Sequence, residues 1–305
     1  MKKAALFSGQ GSQYVGMGKD LYDKYPVFRE ILERADDVLG RKLTSIMFEG
    51  SDLELTGTEN AQPALLAMDY AIFELLRGHD KADFDYTSGH SLGEYAALAA
   101  SGVISFEDAM EIVAERGALM ARAGKLEPGT MAAIIGLDIA KVQEICDEND
   151  ADMANFNSPQ QLVVSGRVAN VHTVMEACKA AGAKRAVQLN VSGAFHSRLM
   201  KKSGAKLASL ISDKKFSAPV IPVVMNVSGE PVSEPETIKQ YLIEQVSSPV
   251  KWLHGMEFMI NDGLEMCVEC GPKNVLTGLA KRISRELASY STDTVDGLEK
   301  VLEVL

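Results

Sequence analysis

The sequence predicts an α/β fold: a parallel sheet covered by helices, with a smaller subdomain inserted into the chain. Three observations predict it. Short apolar strands alternate with helical patterns up to Gly124, as in a sheet built from strand–helix–strand units. Past Gly124 the order becomes β-α-β-β-α-β, the split ferredoxin-like arrangement. After Val191 the first texture resumes.

The elements follow in order. Residues 4–7 are an apolar strand running into a glycine-rich loop. Helical patterns cover 27–39 and 63–76, the second with Leu65, Leu66, Asp69, Ile72, Phe73 and Leu76 on one stripe. Residues 84–88 read as a buried strand ending at Gly89, and a small-residue helix starts after Ser91. The next helix spans 106–121, with Ser105 as its N-cap. Residues 124–129 form a Gly/Lys/Glu/Pro linker. Then come a strand at 131–135, a helix at 139–149, and strands at 151–156 and 161–165 around Asn157-Ser158-Pro159. A helix at 171–181 ends at Gly182, a natural C-terminal cap, and a strand covers 185–191. The last stretch reads as a helix at 199–211, a strand at 220–226, helices at 235–245 and 252–262, a strand at 264–269 and a closing helix from Asn274. The expected division is 1–124 with 197–305 as the large subdomain and 125–196 as the small one.

Composition narrows the function. The 305 residues carry 31 Lys and Arg against 42 Asp and Glu, a net charge of −11, which argues against a nucleic-acid binder. No apolar run is long enough for a secretory leader or a membrane span, so a cytoplasmic protein is expected. Cys146, Cys178, Cys267 and Cys270 are too few for a disulfide framework. The single Cys267-x-x-Cys270 lacks two further ligands for zinc and ends a strand rather than opening a helix, so no metal site is expected.

The strongest chemical signal is Gly89-His90-Ser91-Leu92-Gly93, a G-x-S-x-G between a strand and a helix. Its glycines permit a sharp turn that lifts the serine hydroxyl above the sheet, and the helix start offers free N–H groups. A serine nucleophile needs a base. His79 sits in a Gly-His-Asp turn, His90 points into packing, His172 reads as surface, and His254 lies on an amphipathic helix. His196 lies in the return from insert to large subdomain, where loops line clefts; a base and a structural histidine both fit that position. Arg116 falls on the apolar stripe of its helix, between Ile112 and Leu119. A buried guanidinium needs an anion, an internal acid or a route to solvent, and its planar fork suits a carboxylate. The loop Gly9-Gln10-Gly11-Ser12-Gln13 matches neither phosphate-binding pattern and better serves as a backbone donor near the serine.

Taken together, Phe7-Ser8-Gly9-Gln10-Gly11-Ser12-Gln13, Gly89-His90-Ser91-Leu92-Gly93-Glu94 and Gly193-Ala194-Phe195-His196-Ser197 resemble the malonyl-CoA:acyl carrier protein transacylases of bacterial fatty-acid synthesis and the acyltransferase domains of polyketide synthases. The resemblance spans essentially the whole chain. It implies an α/β-hydrolase-like large subdomain, a ferredoxin-like small one, and a ping-pong transfer from malonyl-CoA to the phosphopantetheine thiol of acyl carrier protein. It further implies Ser91 as nucleophile, His196 as base and then acid, Arg116 on the malonyl carboxylate, and Gln10 and Leu92 N–H groups as oxyanion hole. Gln245 looks like the residue whose carbonyl orients His196, and Gln62 and Gln161 match glutamines lining the family's pocket. The Ala-Phe-His-Ser context resembles the malonyl-selecting form. Malonyl-CoA and the transiently bound carrier protein are then substrates, with no resident cofactor and no nucleic-acid or membrane partner. One departure is Lys273, where many relatives carry glycine, which bears on the local backbone.

The same elbow and base would serve a serine esterase or thioesterase, with water replacing the thiol. A polyketide-pathway acyltransferase acting in trans and a non-catalytic carrier-protein scaffold are the other readings. An acidic carrier protein would need a local basic patch on this acidic chain. Lys184, Arg185, Arg198, Lys201, Lys202, Lys281, Arg282 and Arg285 are the candidates.

Overall fold

The computed structural model describes residues 1–79 and 82–305, so Asp80 of the Gly-His-Asp turn lies outside the described residues. The chain opens with β1 (Lys2–Phe7), whose Ala4 to Phe7 are wholly buried, as a continuous apolar run in a parallel sheet should be. Helices α1 (Lys19–Lys24), α2 (Pro26–Leu39), α3 (Leu43–Glu49) and α4 (Asp52–Thr56) lead to α5 (Thr58–Arg77). This helix starts ahead of Pro63, where the sequence had suggested a beginning. Proline leaves the Glu59 carbonyl without its helical donor, and Arg41 Nη2 bonds that carbonyl at 3.2 Å instead. Strand β2 (Tyr86–Gly89) then feeds α6 (Gly93–Ala100), and α7 (Phe106–Leu126) packs on α5. Ser105 caps α7 as expected, accepting from Asp108 N–H at 3.1 Å.

A second sheet follows, from β3 (Gly129–Ile135), α8 (Ile139–Glu148), β4 (Asp152–Ser158), β5 (Gln161–Arg167), α9 (Val168–Ala180) and β6 (Arg185–Gln188). Its order β4-β5-β3-β6 is antiparallel throughout, as the β-α-β-β-α-β reading requires. Gly182, at φ 101°, sits just past α9 as a left-handed cap.

The chain returns through α10 (Lys201–Asp213), β7 (Val223–Val224), β8 (Pro231–Val232), α11 (Pro235–Gln245), α12 (Trp252–Asn261), β9 (Leu264–Cys270), α13 (Val275–Ile283), β10 (Ala288–Ser291) and α14 (Val295–Val304). The strand expected at 220–226 shrinks to two residues. Pro222 has no N–H for a ladder, and Val220 N–H turns away to Ser101 O at 2.9 Å. Strand β10 was not foreseen because Ala-Ser-Tyr-Ser is a short, half-buried edge strand with little apolar signal; helix α14, which buries Leu298 and Val301, was not foreseen either, although its apolar spacing is helical.

The large sheet has the order β10-β9-β1-β2-β7-β8, and only the β7–β8 pair is antiparallel. Strands β1, β2, β7 and β9 therefore end on the same edge, at Phe7, Gly89, Val224 and Cys270. Ligands bind outside such carboxyl ends. Strand β4 of the second sheet is bonded there to the loop between α11 and α12: Phe156 N–H reaches Val250 O at 2.9 Å, and Val250 N–H reaches Ala154 O at 2.8 Å.

Candidate active site

The elbow is a close-packed backbone crossing. A Cβ on Gly89 would lie 1.9 Å from the Gly93 carbonyl carbon, and one on Gly93 would lie 2.3 Å from Phe7 O. Only glycine permits this approach of α6 to β1. Gly93→Ala is expected to destabilise the fold by roughly 3 kcal/mol, seen as a thermal midpoint lowered by about 6 °C or more. An unchanged midpoint would mean that the crossing relaxes.

Ser91 sits at the turn with φ 53°, a left-handed conformation uncommon for a residue with a side chain. Two amides hold it there. Asn226 Oδ1 accepts from Ser91 N–H at 2.7 Å, and Asn226 Nδ2 donates to Gly89 O at 2.7 Å. Gln245 Nε2 donates to Ser91 O at 2.8 Å.

The Ser91 hydroxyl lies 2.7 Å from His196 Nε2. His196 Nδ1 faces two backbone carbonyls, Gln245 O at 2.9 Å and Ser248 O at 3.2 Å. Both can only accept, so the ring proton belongs on Nδ1 and Nε2 is left to take the serine proton. His196 N–H also bonds Val246 O at 3.1 Å, pinning its loop to the end of α11. Burial, with the charge of Arg116, pushes the His196 pKa down to about 3. The imidazole is thus neutral near pH 7. It is an acceptor as it stands.

Arg116 is 1 % exposed. Its Nη1 donates to Gln62 Oε1 at 2.7 Å, and its Nη2 to Ser91 Oγ and Gln245 Oε1, both at 3.0 Å. Its Nε has no hydrogen-bond partner, and its Cζ stands 5.6 Å from the Tyr95 ring. Among the described residues no carboxylate pairs with it directly. Of the three readings open at the sequence level, an internal ion pair and a snorkelling chain are thus both absent.

Gln62 is fully buried behind Arg116 rather than on the cleft wall where the resemblance had put it, because the guanidinium takes its oxygen. Gln161 does face the cleft, a cavity of about 310 Å³ shared with Gln10, Ser91, Met120, Leu189 and His196. Its Oε1 accepts from Arg282, which places one of the candidate cations at the mouth. Gln10 and Leu92 flank the serine on the β1 loop and at the start of α6, and neither N–H is engaged by another group among the described residues.

The remaining signals resolve structurally. His90 bonds Asn157 Oδ1 at 2.8 Å and lies against Trp252, and burial lowers its pKa. Cys267 and Cys270, three apart on β9, point to opposite faces and join different core clusters. Asp69, the polar member of the α5 stripe, is buried against Ser8 Oγ at 2.9 Å, and burial raises its pKa. Lys273 adopts φ 63°, the left-handed conformation glycine takes freely, and its Nζ reaches Gly11 O and Gln13 O. Arg198 is locked to Asp150 and Asp152. Asn226, Ser248 and Glu94 escaped the sequence reading. Glu94 stands inside the serine motif itself, but its partners are distant in sequence.

A serine raised above the carboxyl edge of a parallel sheet and bonded to a neutral histidine defines the α/β-hydrolase-like class of acyl-handling proteins. The chain belongs to the acyl transferase domain family, whose profile matches residues 5–300. It is 41% identical to a malonyl CoA-acyl carrier protein transacylase of Bacillus subtilis, over 100% of this chain and 97% of that protein. An acyl carrier protein S-malonyltransferase structure from Vibrio cholerae superposes with a TM-score of 0.96 at 40% identity, covering 99% of this chain and 100% of that one. A malonyl-transacylase solved in complex with its type II PKS acyl-carrier protein gives 0.96 at 39% identity over 100% of both chains.

Proposed function

We propose that this chain transfers a malonyl group from malonyl-CoA to the phosphopantetheine thiol of acyl carrier protein, through a malonyl ester on Ser91. The observation that carries the reading is Arg116: a buried cation without a direct carboxylate partner, 3.0 Å from the Ser91 hydroxyl. A buried charge of this kind calls for an anion. A malonyl group offers one two bonds from its thioester carbonyl.

In the first half-reaction His196 Nε2 takes the Ser91 proton as Oγ attacks the thioester carbon. The N–H groups of Gln10 and Leu92 receive the oxyanion. Collapse breaks the C–S bond, and His196 returns its proton to the departing thiolate of coenzyme A. The carrier thiol then repeats the sequence in reverse on the ester. Gln245 O and Ser248 O hold His196 in register through both halves, so backbone carbonyls stand where other serine enzymes use an acid. Both thiol compounds are substrates, and this chemistry requires no resident cofactor. The same reading keeps 125–196 as the small subdomain walling one side of the cleft, and places the protein in the cytoplasm. No helix among the described residues is long and apolar enough to cross a membrane.

The test is intact mass after brief mixing with malonyl-CoA or acetyl-CoA. A malonyl adduct discharged by holo carrier protein supports the transferase. Unmodified protein with steady release of malonate would mean a hydrolase, the esterase reading. Offering fatty-acid and type II polyketide carriers side by side separates the two pathways.

Lys202 is exposed, with Glu127 within reach at 3.8 Å, and Lys201 adjoins it. Changing both to glutamate is expected to raise the KM for carrier protein several-fold while sparing malonyl-CoA acylation, since rim charges act mainly on encounter. Unchanged carrier kinetics would remove this patch from the docking surface.

A further inference from the structure

Beneath the elbow lies a carboxylate with no role so far. Glu94 is fully buried on the first turn of α6. Oε1 accepts the Asn226 backbone N–H, and Oε2 accepts Gln245 Nε2 at 2.6 Å. These are the two residues whose side-chain amides grip the serine turn. Gln245 Oε1 also accepts from Arg116, and its backbone O accepts from His196 Nδ1.

We propose that Glu94 is a positioning residue that fixes the orientation of the Gln245 amide, and through it aligns Arg116 with Ser91 for a substrate carboxylate. A side-chain amide can turn over, exchanging its oxygen and nitrogen. In the orientation present, Nε2 faces two acceptors, Ser91 O and Glu94 Oε2, while Oε1 faces the Arg116 donor. Turned over, the NH2 would meet the guanidinium and the oxygen would meet two other oxygens. Glu94 offers acceptors on both sides, so Asn226 N–H and Gln245 Nε2 are satisfied together. An isosteric glutamine cannot do this. Its oxygen would serve one donor, leaving its NH2 against the other.

In Glu94→Gln the oxygen that keeps the Asn226 N–H leaves the NH2 against that of Gln245, and Arg116 loses its amide acceptor when Gln245 turns. Labelling of Ser91 by malonyl-CoA is expected to fall about 10- to 100-fold, the range for a buried donor left unpaired. Acetyl-CoA labelling, which does not use the guanidinium, should fall far less. Glu94→Asp keeps both acceptors and should recover part of the malonyl preference.

The ionisation of Glu94 gives a second readout. Burial raises its pKa to about 7, opposed by hydrogen bonds from Asn226 and Gln245 and by the charge of Arg116 on α7. The other titratable groups nearby are uncharged near pH 7: the Tyr95 hydroxyl is pushed up to about 12 and His196 down to about 3. The raised pKa means that Glu94 takes up its proton as pH falls through about 7. Malonyl labelling by the native protein should decline there, and in Glu94→Gln that limb should be missing.

The inference rests on the acyl-transfer reading, and the controls keep the two apart. Native protein that malonyl-CoA fails to label overturns that reading, whatever the variants do. Native labelling with an unchanged malonyl-to-acetyl ratio in Glu94→Gln overturns the positioning role alone. So does an equal fall with both acyl donors, which would mark Glu94 as merely structural. Thermal melts accompany each variant. If Glu94→Gln does not fold, the native pH profile decides: a malonyl-to-acetyl labelling ratio that stays flat as pH falls through 7 overturns the proposal.

Discussion

Ser91→Ala is expected to abolish acyl loading and to lower malonyl transfer by roughly 10⁴- to 10⁶-fold, the span seen when a serine nucleophile is removed. The reason is geometric. The Ser91 hydroxyl is bonded to the neutral His196 Nε2 and to a guanidinium, and alanine provides neither partner. The turn itself should survive. It is held by backbone contacts to Asn226 and Gln245, and alanine bears no more strain at φ 53° than serine does. Intact mass and a melting curve check both halves of the expectation. A malonyl adduct on the variant would place the nucleophile elsewhere.

Arg116→Ala should separate stability from selection. The guanidinium is buried without a direct acid, and burial lowers its pKa, so its folded state is strained electrostatically. Removing it is expected to lower the thermal midpoint by only a few degrees, relief of the charge offsetting part of the lost packing and of the donors lost to Gln62 Oε1 and Gln245 Oε1. Activity should respond very differently. A substrate carboxylate would enter the cleft with no cation to meet it, costing about 2–5 kcal/mol. Malonyl kcat/KM should therefore fall about 10²- to 10³-fold, and acetyl transfer should hold or rise. Arg116→Lys should recover little, because an ammonium cannot reach Gln62, Gln245 and a carboxylate as a planar fork does. Equal loss for both acyl groups would sink the selector role.

Legibility in the sequence followed the range of the interactions. The elbow was readable because its requirements are local: two glycines, a strand before and a helix after. The burial of Arg116 was readable because helical spacing places it between Ile112 and Leu119. The order of the second sheet was readable because each of its elements has its own apolar period. The hydrogen-bond partners were another matter. Gln245 meets Ser91 across 154 residues of chain, and Asn226 meets it across 135. No local pattern encodes such a meeting; only the parallel order of β1, β2, β7 and β9 brings these loops to one edge. The family resemblance supplied Gln245 but not Asn226 or Ser248. It also put Gln62 on the cleft wall, where packing instead drew it behind the guanidinium. Strand β10 was missed for a simpler reason: a short edge strand that pairs on one side needs little hydrophobic signal.

The backbone link between β4 and the loop ahead of α12 also bears on the reactive histidine. Val250 is tied on both sides to β4, two residues beyond the Ser248 carbonyl that holds His196. The small sheet is thus tied to the segment that orients His196, next to the reactive pair. Two bulky thiol carriers must visit the same serine in turn. On the proposed reaction, both carriers meet a histidine whose supporting segment is anchored in the small sheet.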